Sequence, residues 1–264
     1  MDRHTVLELF DRQMRREARP DGPGSRVERA GDVVRQVGPA HGWNGVLWSG
    51  LDRLDTAGVA GVIAEQVAYF TSCGRAFEWK LYAHDRPGDL PDRLEAAGFR
   101  PEPEEALMAA EIARLHGTVI GTEPPEGIEV RAVTDEAGVE LVTEVHERAF
   151  GTDGAGLRRR LLDQLAARPD TVAAVVAMAG DRPVSAARLE LPPGAAFAGL
   201  WGGGTVREWR GRGIYRALVA HRARLAAERG YRYLQVDASD QSRPVLSGLG
   251  FTQLSATTPY VYEP

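Results

Sequence analysis

Residues 205–216 read Thr205-Val206-Arg207-Glu208-Trp209-Arg210-Gly211-Arg212-Gly213-Ile214-Tyr215-Arg216, glycines alternating with arginines between an apolar run and an amphipathic one. The first turn of a helix carries unpaired N–H groups and a partial positive charge, so it binds phosphate oxygens without any side chain. Gly211 and Gly213 let the backbone come close to such an anion, while Arg210 and Arg212 add charge and forked hydrogen bonds. The chemistry expected of this stretch is capture of a diphosphate. The wider segment 206–232 holds eight arginines against Glu208 and Glu228, a charge run that on its own describes a solvated helix face equally well.

The flanking sequence supplies the elements that such a turn needs. Phe197 to Val206 reads as a strand leading into it, and Ile214 to about Arg229 as a helix leading out, with Ile214, Leu218 and Leu225 near helical spacing and Gly230 placed to end it. Upstream, Ile128 to Val133 reads as a strand, Asp135 to Phe150 and Leu157 to Ala167 as helices, and Thr171 to Ala179 and Val184 to Leu191 as an antiparallel pair joined at Gly180-Asp181. Downstream, Tyr231 to Asp237 reads as a buried strand, Ser242 to Gly248 as a short helix and Thr257 to Tyr262 as a last strand. The order is β-α-α-β-β-β-α-β-α-β, an α/β arrangement with a mixed, mostly antiparallel sheet flanked by helices.

Arg210-Gly211-Arg212-Gly213-Ile214-Tyr215 resembles the acetyl-CoA signature of the Gcn5-related N-acetyltransferases: Gln or Arg, two variable residues, Gly, one variable residue, then Gly or Ala at the start of a helix. The first and fourth positions match; Tyr215 stands where Gly or Ala is expected. The resemblance extends over almost all of 128–264 and includes Leu249-Gly250-Phe251. It implies that the strand ending at Gly203, Gly204 and Thr205 pairs its backbone with the pantetheine arm of acetyl-CoA. It further implies that Arg210 and the run Gly211, Arg212, Gly213, Ile214, Tyr215 and Arg216 bind the pyrophosphate. Where family members often place a cofactor-contacting asparagine, this sequence has Ser239 or Asp240. Where many place a tyrosine acid, it has Leu246, or Ser247 on a one-residue shift.

The reaction implied is transfer of an acetyl group from acetyl-CoA, as cosubstrate, to an amine by direct attack in a ternary complex, which requires the amine to be deprotonated and the thiolate to leave. Candidates for proton transfer are Tyr260 on the last strand, Asp237 at a strand end and His146 on the first helix. Each also has a purely structural reading: packing or rim, strand-end cap, and satisfied helix-face histidine. A non-catalytic acyl-CoA sensor is the alternative function.

The linker is expected at 116–127, where His116 to Gly127 combines glycines with Pro124-Pro125. In the preceding residues, VIAEQVAYF, AFEWKLYAHD and LPDRLEAAGF parallel LVAHRARLAAERG, YRYLQVDASD and SRPVLSGLGF, a repeat that suggests duplication. The first copy has Asp52 and Asp55 where the phosphate turn should lie, and both repel phosphate. Residues 1–115 are therefore expected to form a degenerate domain of the same fold without a phosphate loop, and 128–264 the acetyl-CoA-binding domain.

At 264 residues, 43% hydrophobic and 26% charged, the chain is long enough for two compact domains and ordinary for a globular protein. One cysteine, Cys73, excludes an internal disulfide and a cysteine zinc cage, and no metal is expected. The net charge of −5 is uneven, with 15 basic and 21 acidic residues in 1–126 against 17 and 16 in 127–264. An acidic chain whose one arginine cluster lies in a phosphate turn is not expected to bind nucleic acid. The N-terminal segment lacks an apolar core of signal-peptide length and no stretch is apolar enough to span a membrane, so a cytoplasmic monomer or homodimer without a membrane partner is expected. A small-molecule amine is the expected acceptor, with a protein N-terminus as the other candidate.

Overall fold

The computed structural model describes residues 1–39, 42–115 and 119–264. In chain order the elements are α1 (Arg3–Phe10, continued by a π-helical turn Asp11–Arg16), β1 (Arg26–Ala30), β2 (Val33–Val37), β3 (Gly45–Ser49), α2 (Thr56–Ser72), β4 (Phe77–Tyr82), α3 (Leu90–Ala96), β5 (Arg100–Pro101) and β6 (Glu105–Glu111). They continue with β7 (Ile128–Val133), α4 (Glu136–Phe150), α5 (Ala155–Ala167), β8 (Val172–Ala179), β9 (Arg182–Glu190), β10 (Phe197–Thr205), α6 (Ile214–Glu228), β11 (Tyr233–Ala238), α7 (Arg243–Gly248) and β12 (Thr252–Tyr262). From residue 128 on, this is the order expected from the sequence. Among the described residues no helix is long and apolar enough to cross a membrane.

The chain packs as two compact units that are not contiguous halves. Unit 1 comprises Met1–Leu107, Asp237–Asp240 and Gln253–Pro264; unit 2 comprises Met108–Val236 and Gln241–Thr252. The expected division into 1–115 and 128–264 therefore does not follow the packing, because residues 108–115 group with the later sequence and the C-terminal strand with the earlier. Of the expected linker 116–127, His116 to Thr118 lie outside the described residues; Val119 is buried and the Ile120 carbonyl accepts a hydrogen bond from Arg224 at 2.8 Å, both within unit 2.

In unit 2, β7-β8-β9-β10 form an antiparallel meander and β11 adds parallel to β10. The β10–α6–β11 crossover supplies the connection that parallel strands require. Helix α4 starts at Asp135, whose carboxylate accepts from the Gly138 N–H at 2.8 Å, and ends at Gly151 in the left-handed region. It buries Val139, Val142 and Val145 against the sheet. Helix α6 buries Ile214 and Leu218 along with Ala217, Ala220, Ala223 and Ala226, small residues that let its backbone approach the sheet.

Unit 1 repeats the scheme with β1-β2-β3 antiparallel, β4 parallel to β3 after the α2 crossover, and β12 antiparallel to β4 from Thr257 opposite Tyr82 to Tyr262 opposite Phe77. Its core gathers Phe70, Phe77, Trp79, Phe99 and Tyr260, with Tyr262 packed against it.

Candidate active site

Strands β10 and β11 pair only through Phe197–Gly199 and Tyr233–Gln235, although β10 runs on to Thr205. Among the described residues β10 has no ladder with β11 beyond Gly199, and the main chain of Gly202 to Gly204 there is suited to pairing with an extended ligand. On its other side β10 keeps register with β9 through Trp201 opposite Arg188, bulges, and resumes at Gly204 opposite Ala186. The bulge carries Gly202 and Gly203.

The chain then turns through Arg207–Trp209 and Gly211 to Gly213, with φ of +75° at Gly211 and +84° at Gly213, values that favour glycine at both positions. Gly213 is the N-cap of α6 and offers no side chain to the first-turn amides. A Cβ at Gly211 would meet nothing within 4 Å. This open, uncapped start of a 15-residue helix fits an anion of the diphosphate kind expected from the sequence.

The arginines of the turn divide their tasks. Arg210 donates from Nε to the Thr205 carbonyl at 2.9 Å and from Nη2 to the Ala149 carbonyl at 3.1 Å, tying the turn to the end of β10 and the end of α4. Arg210 is thus a brace in this structure, with its guanidinium turned to the backbone. Arg212 lies over the Trp209 ring at 4.5 Å and donates to the Glu208 carbonyl. Arg216 is exposed and free of such partners among the described residues, which leaves it the cation best able to meet an incoming phosphate. Ile214 is buried as the helix anchor, and the Thr205 hydroxyl bonds the Ser185 hydroxyl at 2.8 Å.

Tyr215, the departure from the family signature, has its ring against β10. A Cβ on Gly203 would stand 2.9 Å from the Tyr215 ring and 3.6 Å from Arg222 Nη2. The large residue of the helix thus fills the space that the glycine of the strand vacates. Arg222 is 1% exposed, and sequence reading missed it. It donates from Nε to the Leu218 carbonyl and from Nη1 to the Arg188 carbonyl, both at 3.0 Å, while Nη2 is buried without a hydrogen-bond partner among the described residues. Burial pulls its pKa down to about 10, opposed by Tyr215. The signal was the i, i+4 spacing of Ile214, Leu218 and Arg222, which sets an arginine in the apolar stripe.

Gly204 faces the other side of the sheet, where a Cβ would stand 2.7 Å from the Phe150 ring. Phe150 is 50% exposed, the one exposed large hydrophobic among the described residues. His146, one turn earlier on α4, lies with its ring 5.1 Å from that of Phe150 and its Nε2 3.0 Å from the Thr152 hydroxyl. Burial, with Arg188 nearby, holds its pKa below the usual histidine value. The imidazole is therefore neutral at pH 7, as a base requires.

The other candidates for proton transfer belong to unit 1. Asp237 pairs with the only lysine, Lys80, at 2.5 Å, side chains 3% and 15% exposed. Its carboxylate is thus engaged with a buried ammonium. Ser239 is exposed and groups with the same unit. Tyr260 faces Trp79 across β12 and β4 and is 6% exposed; burial raises its pKa, with Glu95 and Asp92 adding to the effect. Packing in the aromatic core is what its surroundings show. Of the two positions at which the resemblance expects a tyrosine, Leu246 is fully buried and Ser247 is exposed.

The corresponding region of unit 1 is closed. The N-terminus of α2 is capped by Asp55, whose carboxylate accepts the Gly58 N–H at 2.8 Å and so occupies the place of an anion. Strand β3 leaves β4 after Val46 and Trp79, as β10 leaves β11. Here Arg15 bridges the gap, donating to the Leu47 carbonyl at 3.0 Å and to both oxygens of Asp85 at 2.8 and 2.6 Å, with its guanidinium over Tyr82.

Residues 137–251 match the model of the Acetyltransferase (GNAT) family. Among solved structures, a GCN5-related N-acetyltransferase from Kribbella flavida is 18% identical with a TM-score of 0.68, over 99% of this chain and 94% of that one. A GCN5-related N-acetyltransferase from Sphaerobacter thermophilus is 17% identical with a TM-score of 0.60, over 98% and 85%. A tandem GNAT protein from the clavulanic acid biosynthesis pathway is 14% identical with a TM-score of 0.64, over 99% and 94%. No curated protein matches the sequence. Residues 137–251 thus match the Acetyltransferase (GNAT) family, and over its whole length the chain has the fold of these solved structures, one of them a tandem GNAT protein.

Proposed function

We propose that the protein is an acyl-CoA-dependent N-acyltransferase, with acetyl-CoA as donor and an amine as acceptor, acting by direct transfer in a ternary complex at unit 2. The observation that supports this reading is the open edge of β10 running into the uncapped N-terminus of α6. Acetyl-CoA supplies a thioester carbon: the amine nitrogen forms a C–N bond there as the C–S bond breaks and its electron pair stays on sulfur. On this reading the amides of residues 214–216 and the Arg216 guanidinium hold the pyrophosphate, Arg210 fixes the turn, and the open edge of β10 orients the pantetheine arm. His146 takes the amine proton. Phe150 offers an apolar wall beside it, suited to the hydrocarbon part of a small amine; a protein N-terminus is the other acceptor of this chemistry.

Calorimetric titration with CoA tests the site. One CoA per chain is expected, and Gly213→Val, which forces a β-branched residue to a φ of +84° and adds bulk at the helix cap, should abolish binding. Full-affinity binding by that variant removes the assignment. Buried Leu246 favours a second reading, a non-catalytic acyl-CoA sensor. Release of CoA thiol from acetyl-CoA in the presence of a panel of amines separates the two, since a sensor gives none above the hydrolytic background.

A further inference from the structure

Arg222 is a buried guanidinium with no carboxylate beside it among the described residues. Two of its nitrogens bond main-chain carbonyls, and the third, Nη2, lies close to Gly203, in the part of β10 that has left β11. Removing a charge from water without a counter-charge is costly, and the positive charge persists there because no other form of the side chain is accessible at neutral pH. The ionisable neighbours do not neutralise it. Tyr215 on α6 is itself pushed up by burial, and His221 on α6 is held below its usual value by burial and by Arg224 and Arg222. Arg188 of β9 places its Nε 3.5 Å from a Cβ position on Gly202. Strands β8 and β10 carry no titratable side chain, and in the short helical turn Ile112–Arg114 the one such residue, Arg114, pairs with Glu111.

We infer that Arg222 is the fixed positive charge that receives the leaving CoA thiolate, in place of the tyrosine that neither Leu246 nor Ser247 supplies. The inference rests on the donor site proposed for unit 2. When the C–S bond breaks, the electron pair goes to sulfur, and no proton is needed at that moment if the negative charge is met by a preorganised cation in a water-poor surrounding. The product leaves as thiolate and takes its proton from solvent. Arg222 acts through space, as a charge held beside Gly203 by its bonds to the Leu218 and Arg188 carbonyls. Glycine at 203 is what allows this, because any side chain there would occupy the space of Tyr215 and stand between Nη2 and the strand edge.

The test needs no acceptor. CoA is bound to the protein and its thiol titrated by ultraviolet thiolate absorbance, with the desulfo-CoA complex as blank. The bound thiol should titrate at least about one unit below free CoA. Arg222→Met should return it to the free value, and Arg222→Lys should keep most of the shift. A bound thiol that titrates like free CoA in the unmodified protein overturns the inference while leaving the donor site standing, and this arm decides the matter even if Arg222→Met does not fold. A shift that survives Arg222→Met overturns it as well. Absence of CoA binding in the unmodified protein removes both the donor site and the inference.

Discussion

A histidine serves as a base at neutral pH only where something keeps the proton off it, and His146 has two such causes: partial burial against Phe150 and the Arg188 charge. Both act in the same direction, so the neutral form persists to lower pH than in a free imidazole. With an amine acceptor, kcat/KM should rise with pH along a limb whose midpoint lies below that of a free imidazole. His146→Gln should remove that limb and lower kcat by roughly 10²-fold, with CoA affinity unchanged. A limb that persists in the variant assigns the base elsewhere. At this scale the sequence is informative about residue type and less about direction. Arg210 stands at the signature position, yet its guanidinium turns to the Thr205 and Ala149 carbonyls, because where two main-chain segments end decides what a flexible side chain reaches. Asp237 and Tyr260 each looked suitable as acid or base, but both are committed to neighbours, Lys80 and the Trp79 core, that lie about 160 and 180 residues away in sequence.

At the scale of elements, α2 and α6 differ in what meets their first-turn amides, and on the proposed reading this is why unit 2 alone holds an anion. Each helix follows a strand that leaves its parallel neighbour, and the difference lies in the cap: Gly213 leaves the amides of α6 open, whereas Asp55 fills those of α2 with its own carboxylate. Removing the cap should not create a second site, because Arg15 already joins β3 to Asp85. Asp55→Ala should therefore cost about 1 kcal/mol of stability and leave the titration at one CoA per chain. A second equivalent site in that variant means that the cap alone keeps unit 1 empty. The order of elements was legible because apolar spacing and glycine punctuation coincide at β7 to α7. Helix α2 begins at Thr56, six residues before the repeat stretch VIAEQVAYF, since Gly58 and Gly61 dilute its apolar pattern. Strand β12 begins at Thr252 rather than Thr257, because the polar run Thr252 to Thr258 carries little strand signal of its own.

At the scale of the whole molecule, the chain enters unit 1, leaves it within β6, and returns with Asp237–Asp240 and the last strand. No local pattern announces this, since strand order in a sheet depends on which edge is open and not on which residue comes next. The return is substantial: Tyr260 and Tyr262 complete the aromatic core, with the Tyr262 ring 5.8 Å from Phe77 and 5.3 Å from Phe99. Burial of such side chains contributes roughly 2–3 kcal/mol each, and the Thr257–Tyr262 ladder on β4 adds its hydrogen bonds. The total is a large part of the roughly 5–15 kcal/mol that holds a domain together. A chain ending at Thr252 should therefore lose slow hydrogen exchange across β2, β3, β4 and α2, while β8, β9 and β10 keep theirs. Unit 2 contains no residue after Thr252, so nothing in it is removed by the truncation. Exchange in β4 that stays as slow as in the full chain shows that unit 1 does not depend on its returning strand, and loss of protection in β8 and β9 to the same extent shows that the two units unfold together.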